Sequence, residues 1–497
     1  MDIILEKVDF GNEAADDVQP EELATYFVKQ TAFTKFLNPN NKFLIAHARK
    51  GVGKSALLQW LFYANSKADP DALVIKCRGA DLVRSNFNLT STISSPNDYI
   101  RDWMVRLCAL INRHLACTVK LALDDDKITL VETAELTGYK SRNLVGCLLD
   151  RLQGILEKRG PTKIPAKDEI QLLKRVKNRR VWILIDDLDA TFQNTKEEKL
   201  ALATFFSACR YLVSDVNDLV IRVTMRTDVM TLIRRYDESL DKIEQYLHEI
   251  LWHQRDFLQL LALRVKISMK VSGIPLPQVA WYVSKPDEQE RLLSAVFAKK
   301  MEWDDHDVDS YKVLYTLSYE RPRWAVQLCK LAQEAALRHE AKLIMKDHID
   351  EVWGEYGKKR IDDLVAEHKH QCPHVEELLN AFRGANRLMA RDELFQWITN
   401  HISEHISPNI EGLSTRSPME IAHFLYRIGF ILARSDSKTE EHYEHYRFDQ
   451  MPDFLSSRTD ADFGLKWEIH PCYREALDIK KLDRSHRERF RRLRDRN

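Results

Sequence analysis

Apolar residues fall into short continuous runs in the first half of the chain and into helical spacings in the second. Phe43-Leu44-Ile45 suits a buried parallel strand, and Ala72-Leu73-Val74-Ile75 reads as the next. Val181-Trp182-Ile183-Leu184-Ile185 is a third run, closing on Asp186 and Asp187. Leu219-Val220-Ile221-Arg222-Val223-Thr224-Met225 is a fourth, with Arg226-Thr227-Asp228 at its carboxy end. Ala56-Leu57-Leu58-Gln59-Trp60-Leu61 has amphipathic helical order, and Leu23 to Val28 forms a helical lead before the first strand. The stretch between about Tyr99 and Lys177, around the turn Arg159-Gly160-Pro161, is expected to hold helices. Tyr246 to Trp252 leads into a clear helix at Phe257 to Arg264, and Pro322 suits the first turn of a helix running through Ala332. Helical patterns near 359–384, 390–403 and 417–428 follow. Strand-like Ile428 to Ala433, Tyr446-Arg447-Phe448 and Lys466 to His470 come after them. Three helices and then a β-hairpin is winged-helix order, so the pattern predicts an α/β core with a parallel sheet, a helical lid and a winged-helix domain.

Chemistry enters at the end of the first run. Ala48 to Ser55 supplies a loop of backbone N–H groups, with Gly51 and Gly53 letting it curl around phosphate oxygens. Arg49, Lys50, Gly51, Val52, Gly53, Lys54, Ser55 and Ala56 are the candidate nucleotide contacts. Lys54 is placed to reach the β- and γ-phosphates, and the Ser55 hydroxyl to ligate Mg²⁺. The helix begun near Ser55 turns its positive end to the nucleotide. This is the Walker A pattern with Ala48 where the first glycine normally stands, a substitution that works if φ there is negative. The acid-ended run through Asp186 and Asp187 is the matching Walker B strand, expected to lie beside the Walker A strand. Asp186 completes the Mg²⁺ shell, and Asp187 orients or deprotonates the attacking water. Asp189 follows in the same turn. Arg226 is placed to contact the γ-phosphate or the acids at 186 and 187, and the helical lead to flank the base.

The rest of the composition mainly excludes. The 497 residues carry 75 Lys plus Arg against 75 Asp plus Glu, so overall charge points to no polyanionic partner. No long apolar run and no amino-terminal signal pattern is present, which predicts a cytoplasmic protein with no membrane association. The 8 cysteines are scattered, without a Cys-x-x-Cys pair. His368, His370, Cys372 and His374 alternate, but Pro373 interrupts them and a polar loop is expected rather than a zinc site. Glu440 to Tyr446 reads as a solvated hairpin. Residues 480–497 hold nine Lys or Arg and three acids, a basic tail suited to nucleic-acid phosphate or an acidic partner.

Together these residues resemble prokaryotic P-loop ATPases of the AAA+/STAND group, including bacterial ATPases with an Asn-Glu-Ala lead-in (Asn12 to Ala14) and an Arg-Lys-Gly-x-Gly-Lys-Ser loop (Arg49 to Ser55). The core, lid and winged-helix layout also looks like origin-recognition ATPases. The resemblance implies a lead segment at 1–40, a nucleotide-binding core at 41–268, a lid at 269–346, a winged-helix domain at 347–479 and the tail at 480–497. It implies ATP as the nucleotide, Arg226 in the first sensor place and Arg323 in the second. No Ser-Arg finger precedes the helix ending at Arg264, and Arg234 and Arg235 are the nearest substitutes. The expected activity is Mg²⁺-dependent ATP binding and hydrolysis as a conformational switch. The expected setting is a bacterial defence or conflict system, with a homo-oligomer and a separate effector protein. The alternative is an ATP-dependent DNA-binding protein of origin-recognition type, contacting DNA or RNA through the winged helix and tail. A small-molecule kinase fits poorly, since no substrate lid is visible.

Overall fold

The computed structural model describes residues 4–84, 95–118, 180–190, 192, 195–216, 218–234, 238–275, 285–436, 443–456 and 462–481. The turn at 159–161, most of the basic tail and Arg235 lie outside these residues. The chain divides into two compact units. One comprises Asn12–Asp256 with Arg321–Arg323; the other comprises Met1–Gly11, Phe257–Glu320 and Trp324–Asn497.

In the first unit β1 (Phe43–His47), β2 (Leu73–Arg78), β3 (Val181–Asp186), β4 (Leu219–Met225) and β5 (Leu247–Glu249) form one sheet in the order β2-β3-β4-β1-β5. Every pairing is parallel. The fold of this unit is therefore α/β with a central five-stranded parallel sheet. The order corrects one expectation: β3, with its acids, does not lie beside β1. β4 stands between them, pairing Phe43 with Ile221 on one side and Val181 with Leu219 on the other. Parallel neighbours are joined by crossovers, so chain order does not set sheet order. β4 is buried along all seven residues, as a strand with a neighbour on each edge and cover on each face must be. β5 is a short half-exposed strand that the sequence pattern did not reveal.

The helix Lys54–Ala68 follows the loop after β1, and Lys196–Asp215 packs Phe205, Phe206 and Leu212 into the core under the sheet. A capping box at Thr195 and Glu198 fixes the start of the latter. The helical lead is present as Pro20–Tyr26 and Thr31–Leu37, with Phe27 stacked on Trp60 at 4.7 Å. Arg222, fully buried on β4, donates to the Phe36 and Asn38 carbonyls at the end of that second helix, 2.8 and 3.0 Å away. Burial pulls its guanidinium down to about 9.

The second unit carries helices Pro286–Leu293, Ser310–Leu317 and Lys346–His368, most of Gln254–Val271 and Pro322–Arg338, and an antiparallel hairpin of β6 (Lys300–Trp303) and β7 (His306–Asp309). Then come helix Val375–Asn380, β8 (Leu388–Ala390) and helix Arg391–Ile398 with a π turn through Ser403. A two-residue ladder of β9 (Asn409–Ile410) and β10 (Leu413–Ser414) precedes helix Pro418–Arg427. β11 (Ile431–Asp436), β12 (Tyr443–Tyr446) and β13 (Lys466–Ile469) complete an antiparallel sheet ordered β12-β11-β13-β8. The expected helix at 359–384 is instead the end of one helix, a turn across Pro373 and a short second helix, because the proline cannot continue the hydrogen-bond ladder. β8 was not foreseen. Among the described residues no helix is long and apolar enough to cross a membrane, and no group of three or more His, Cys, Asp or Glu is arranged to hold a metal.

Candidate nucleotide site

Four successive segments at the carboxy end of the sheet build the site: the loop after β1, the turn after β3, the end of β4 and the chain after β5. In the loop, Gly51 and Gly53 adopt φ of 78° and 115°, which only glycine takes readily. Ala48 does not, and so it replaces the usual first glycine without strain. Gly53 precedes the helix Lys54–Ala68, and no side chain caps that terminus. The amides of Lys54, Ser55 and Ala56 open the helix, where orphan N–H groups and the helix dipole favour an anion. A Cβ on Gly53 would meet nothing nearer than Ala56 Cβ at 4.0 Å, so space inside the loop is kept clear. Lys54 is buried, with its amine donating to the Ala48 and Arg49 carbonyls at 3.1 and 3.3 Å. Lys50 is exposed at the tip, Arg49 half-buried, Val52 buried and Ser55 half-buried.

The acids meet the loop across β4. Asp186 Oδ1 accepts from Thr224 Oγ1 at 2.6 Å and from the Asp187 amide at 3.1 Å, and Oδ2 takes no part in these bonds. The Asp187 amide also donates to Thr224 Oγ1 at 3.2 Å. Thr224 thus holds the acid turn to the intervening strand. Asp187 is exposed and sits at a φ of 48°. Crowding on its inner side and the neighbouring Asp186 charge push its carboxyl above the ordinary range, with Lys54 opposing. Gly79, at the end of β2, passes so close beneath this turn that a Cβ would fall 2.2 Å from Leu188 Cα.

Arg226, at the end of β4, is seated on Asp189. Its Nε and backbone N–H both donate to Asp189 Oδ2, at 2.8 and 3.1 Å, and Asp228 lies 3.8 Å away. Asp189 is 2% exposed, and its Oδ1 is buried without a hydrogen-bond partner. Burial raises its carboxyl above the usual range despite the opposing charges of Arg226 and Lys54. Arg323 belongs to this unit and donates its backbone N–H to the Gly51 carbonyl at 3.4 Å. Arg234 is an exposed ion-pair partner of Glu244. The structure therefore gathers Arg49 to Ala56, Asp186, Asp187, Arg226 and Arg323 around one loop.

Thr224, Gly79 and Trp252 were not singled out by sequence. Trp252 donates its indole N–H to the Val52 carbonyl at 2.7 Å. Each acts through position on a strand end rather than through a motif, and only the tertiary pairing makes that position meaningful. The loop fits a polyphosphate: an uncapped helix start, a clear interior and a buried ammonium. Ser55 and Asp186 Oδ2 offer the hard oxygen donors that Mg²⁺ takes.

No protein-family model matches the chain, and no curated protein matches it in sequence. Among solved structures it is similar to the Aeropyrum pernix ORC2 protein in its ADPNP-ADP complexes, at 13% identity over 92% of this chain and 91% of that one, with a TM-score of 0.40. Cdc6p from Pyrobaculum aerophilum matches at 10% identity over 96% of each chain, TM-score 0.32. The Aeropyrum pernix ORC1 protein in complex with DNA matches at 13% identity over 87% of this chain and 88% of that one, TM-score 0.32. Likeness at this level carries no weight for function; the sheet order and the loop geometry do.

Proposed function

We infer that the protein is an Mg²⁺-dependent ATPase that works as a conformational switch. One observation carries this reading: the glycine loop, its buried lysine and the Asp186-Asp187 pair converge at the same sheet end, with β4 and Arg226 between them. When bound, ATP supplies the phosphoryl group and Mg²⁺ neutralises its oxygens. Lys54 and the amides of 53–56 bind the phosphates, and Ser55 and Asp186 hold the cation. Asp187, its carboxyl displaced upward, orients the water and accepts its proton. Arg226 and Arg323 read the γ-phosphate, Arg226 from its seat on Asp189. ATP rather than GTP, and a separate effector protein in a bacterial defence system, rest on the family resemblance.

A second reading, a DNA-binding ATPase of origin-recognition type, draws on the order helix, β8, helix, β9, β10, helix, β11, β12, β13 in the second unit, which supports a winged-helix arrangement. The helix in the recognition place, Pro418–Arg427, has Arg427 paired with Glu411 and is otherwise not cationic. That favours a protein partner over duplex DNA.

The test is turnover and equilibrium binding of Mg-ATP. Lys54→Ala is expected to abolish hydrolysis and severely weaken binding. Asp187→Asn is expected to retain binding while hydrolysis falls about 10²–10⁴-fold, the range for a lost general base. Equal turnover in wild type and Lys54→Ala would overturn the ATPase reading.

A further inference from the structure

Two carbonyls in a row along the phosphate loop are held from outside it. Gly51 O accepts the Arg323 amide at 3.4 Å, an otherwise orphan donor in the first turn of Pro322–Arg338. Val52 O accepts the Trp252 indole N–H at 2.7 Å, and Trp252 is 7% exposed. The peptide group is planar and trans, so a carbonyl fixed in one direction sends the following N–H the opposite way. Securing Gly51 O therefore aims the Val52 amide away from Arg323, and securing Val52 O aims the Gly53 amide away from Trp252. Phosphate oxygens held inside the loop need such donors. Gly53 needs such a restraint more than most residues, because its backbone has wide freedom.

Trp252 is itself well anchored. Two residues earlier the Ile250 amide donates to the His47 carbonyl at 2.9 Å, at the last residue of β1 before the loop. The donor and the loop thus share one strand as their reference frame. The Trp252–Val52 bond is neutral and buried, so nothing from solvent replaces it when the donor is removed.

We propose that Trp252 is a positioning residue for phosphate binding: its indole N–H fixes the Val52–Gly53 peptide so that the Gly53 amide faces the nucleotide. This rests on the nucleotide-binding reading above. The bond is made before the ligand arrives, so it acts by preorganisation and governs affinity for any polyphosphate that enters the loop.

Trp252→Phe keeps an aromatic ring and removes the donor. Calorimetric titration with Mg-ADP and with inorganic pyrophosphate is expected to give dissociation constants roughly 3- to 10-fold weaker for both, the effect of one lost buried hydrogen bond. The melting-temperature increment produced by saturating Mg-ADP should shrink relative to that of wild type. A purely structural tryptophan would lower the nucleotide-free melting temperature while leaving both affinities and the increment unchanged, and that result would overturn the proposal. Replacing Trp252 with benzothienylalanine, which has nearly the same shape with sulfur in place of N–H, is the second variant. It is expected to weaken both ligands by a similar factor, and wild-type affinity there would also overturn the proposal. Lys54→Ala separates the two levels of inference. If wild type binds neither probe, the nucleotide reading falls and this proposal with it. If Lys54→Ala loses binding while Trp252→Phe and the benzothienyl variant do not, only the role of Trp252 falls.

Discussion

Glu468 and Asp189 are both desolvated carboxylates, 0% and 2% exposed, yet their surroundings treat them in opposite ways. Glu468, on β13, is saturated. Its Oε1 accepts from Arg387 Nε at 2.7 Å and from an Arg474 amino group at 2.6 Å, and its Oε2 lies 2.7 Å from His445 Nε2 and 3.3 Å from Arg434. Arg387 in turn grips Asp304 with both amino groups at 2.7 Å. Burial alone would favour the neutral acid, but Arg474, His445 and Arg387 hold Glu468 well below the carboxylate range. Asp189 has one arginine, one unmatched oxygen and a carboxyl pushed upward by burial. A complete network fixes structure; an incomplete one leaves a buried carboxylate under-satisfied.

Isosteric neutralisation should separate the two most sharply. Glu468→Gln leaves Arg387 and Arg474 buried without their shared anion, and a loss of about 3–5 kcal/mol in urea unfolding of the second unit is expected. The pH dependence follows the same sign. A depressed carboxyl stabilises the fold above its unfolded value of 4.5, and that stability is lost as pH falls below it toward the folded value. Wild type should therefore weaken on acidification below about 4.5, and Glu468→Gln less steeply. An equal acid slope in both would break the contrast.

Asp189→Asn should behave differently. A raised carboxyl contributes stability below its unfolded value of 3.8 and loses it as pH climbs through the higher folded value, so at neutral pH the charge is a net cost. Asparagine still offers Arg226 an oxygen. Stability is expected to stay within about 1 kcal/mol of wild type, while the difference in protease protection between ADP and a slow-hydrolysing ATP analogue is lost, as it should be for Arg226→Ala. Retained state dependence in both variants would remove Arg226 from the sensor role.

The smallest effect is expected at Asp187. Its upward displacement means the charged form burdens the fold at neutral pH, and asparagine tolerates its left-handed φ of 48° well. Asp187→Asn should melt at the same temperature as wild type or slightly higher, even as hydrolysis collapses. A clear drop in melting temperature would make Asp187 structural rather than catalytic.

The contrast also shows what the sequence made legible. The glycine loop, the acids after β3 and the buried run of β4 announced themselves through local pattern, since a strand buried on both faces must be apolar and a phosphate loop must carry glycine. The placement of β4 between β1 and β3 did not, because parallel pairing is decided by distant segments. Arg226 was legible as a polar residue at a strand end, but its partner was not: Asp189 shares the turn of the motif acids and meets Arg226 at the end of β4 only once the strands are ordered. Trp252 and Thr224 belong to no motif. In the second unit the helix at 359–384 was misplaced, since its apolar spacing continues across Pro373 while the backbone cannot.

Strand β1 finds both of its neighbours late, at residues 219–225 and 247–249, and the guanidinium that secures the Thr31–Leu37 helix sits 186 residues beyond the carbonyl it holds. On a ribosome adding ~5–20 residues per second, that interval lasts about ten to forty seconds. For most of it β1 and the glycine loop have been made while β4 and β5, the strands that flank β1, have not, so both edges of β1 stay unpaired. The nascent chain thus carries its glycine loop unsupported for most of the time the first unit takes to synthesise. A translational pause ahead of β4 would prolong that interval, whereas one after β5 would not.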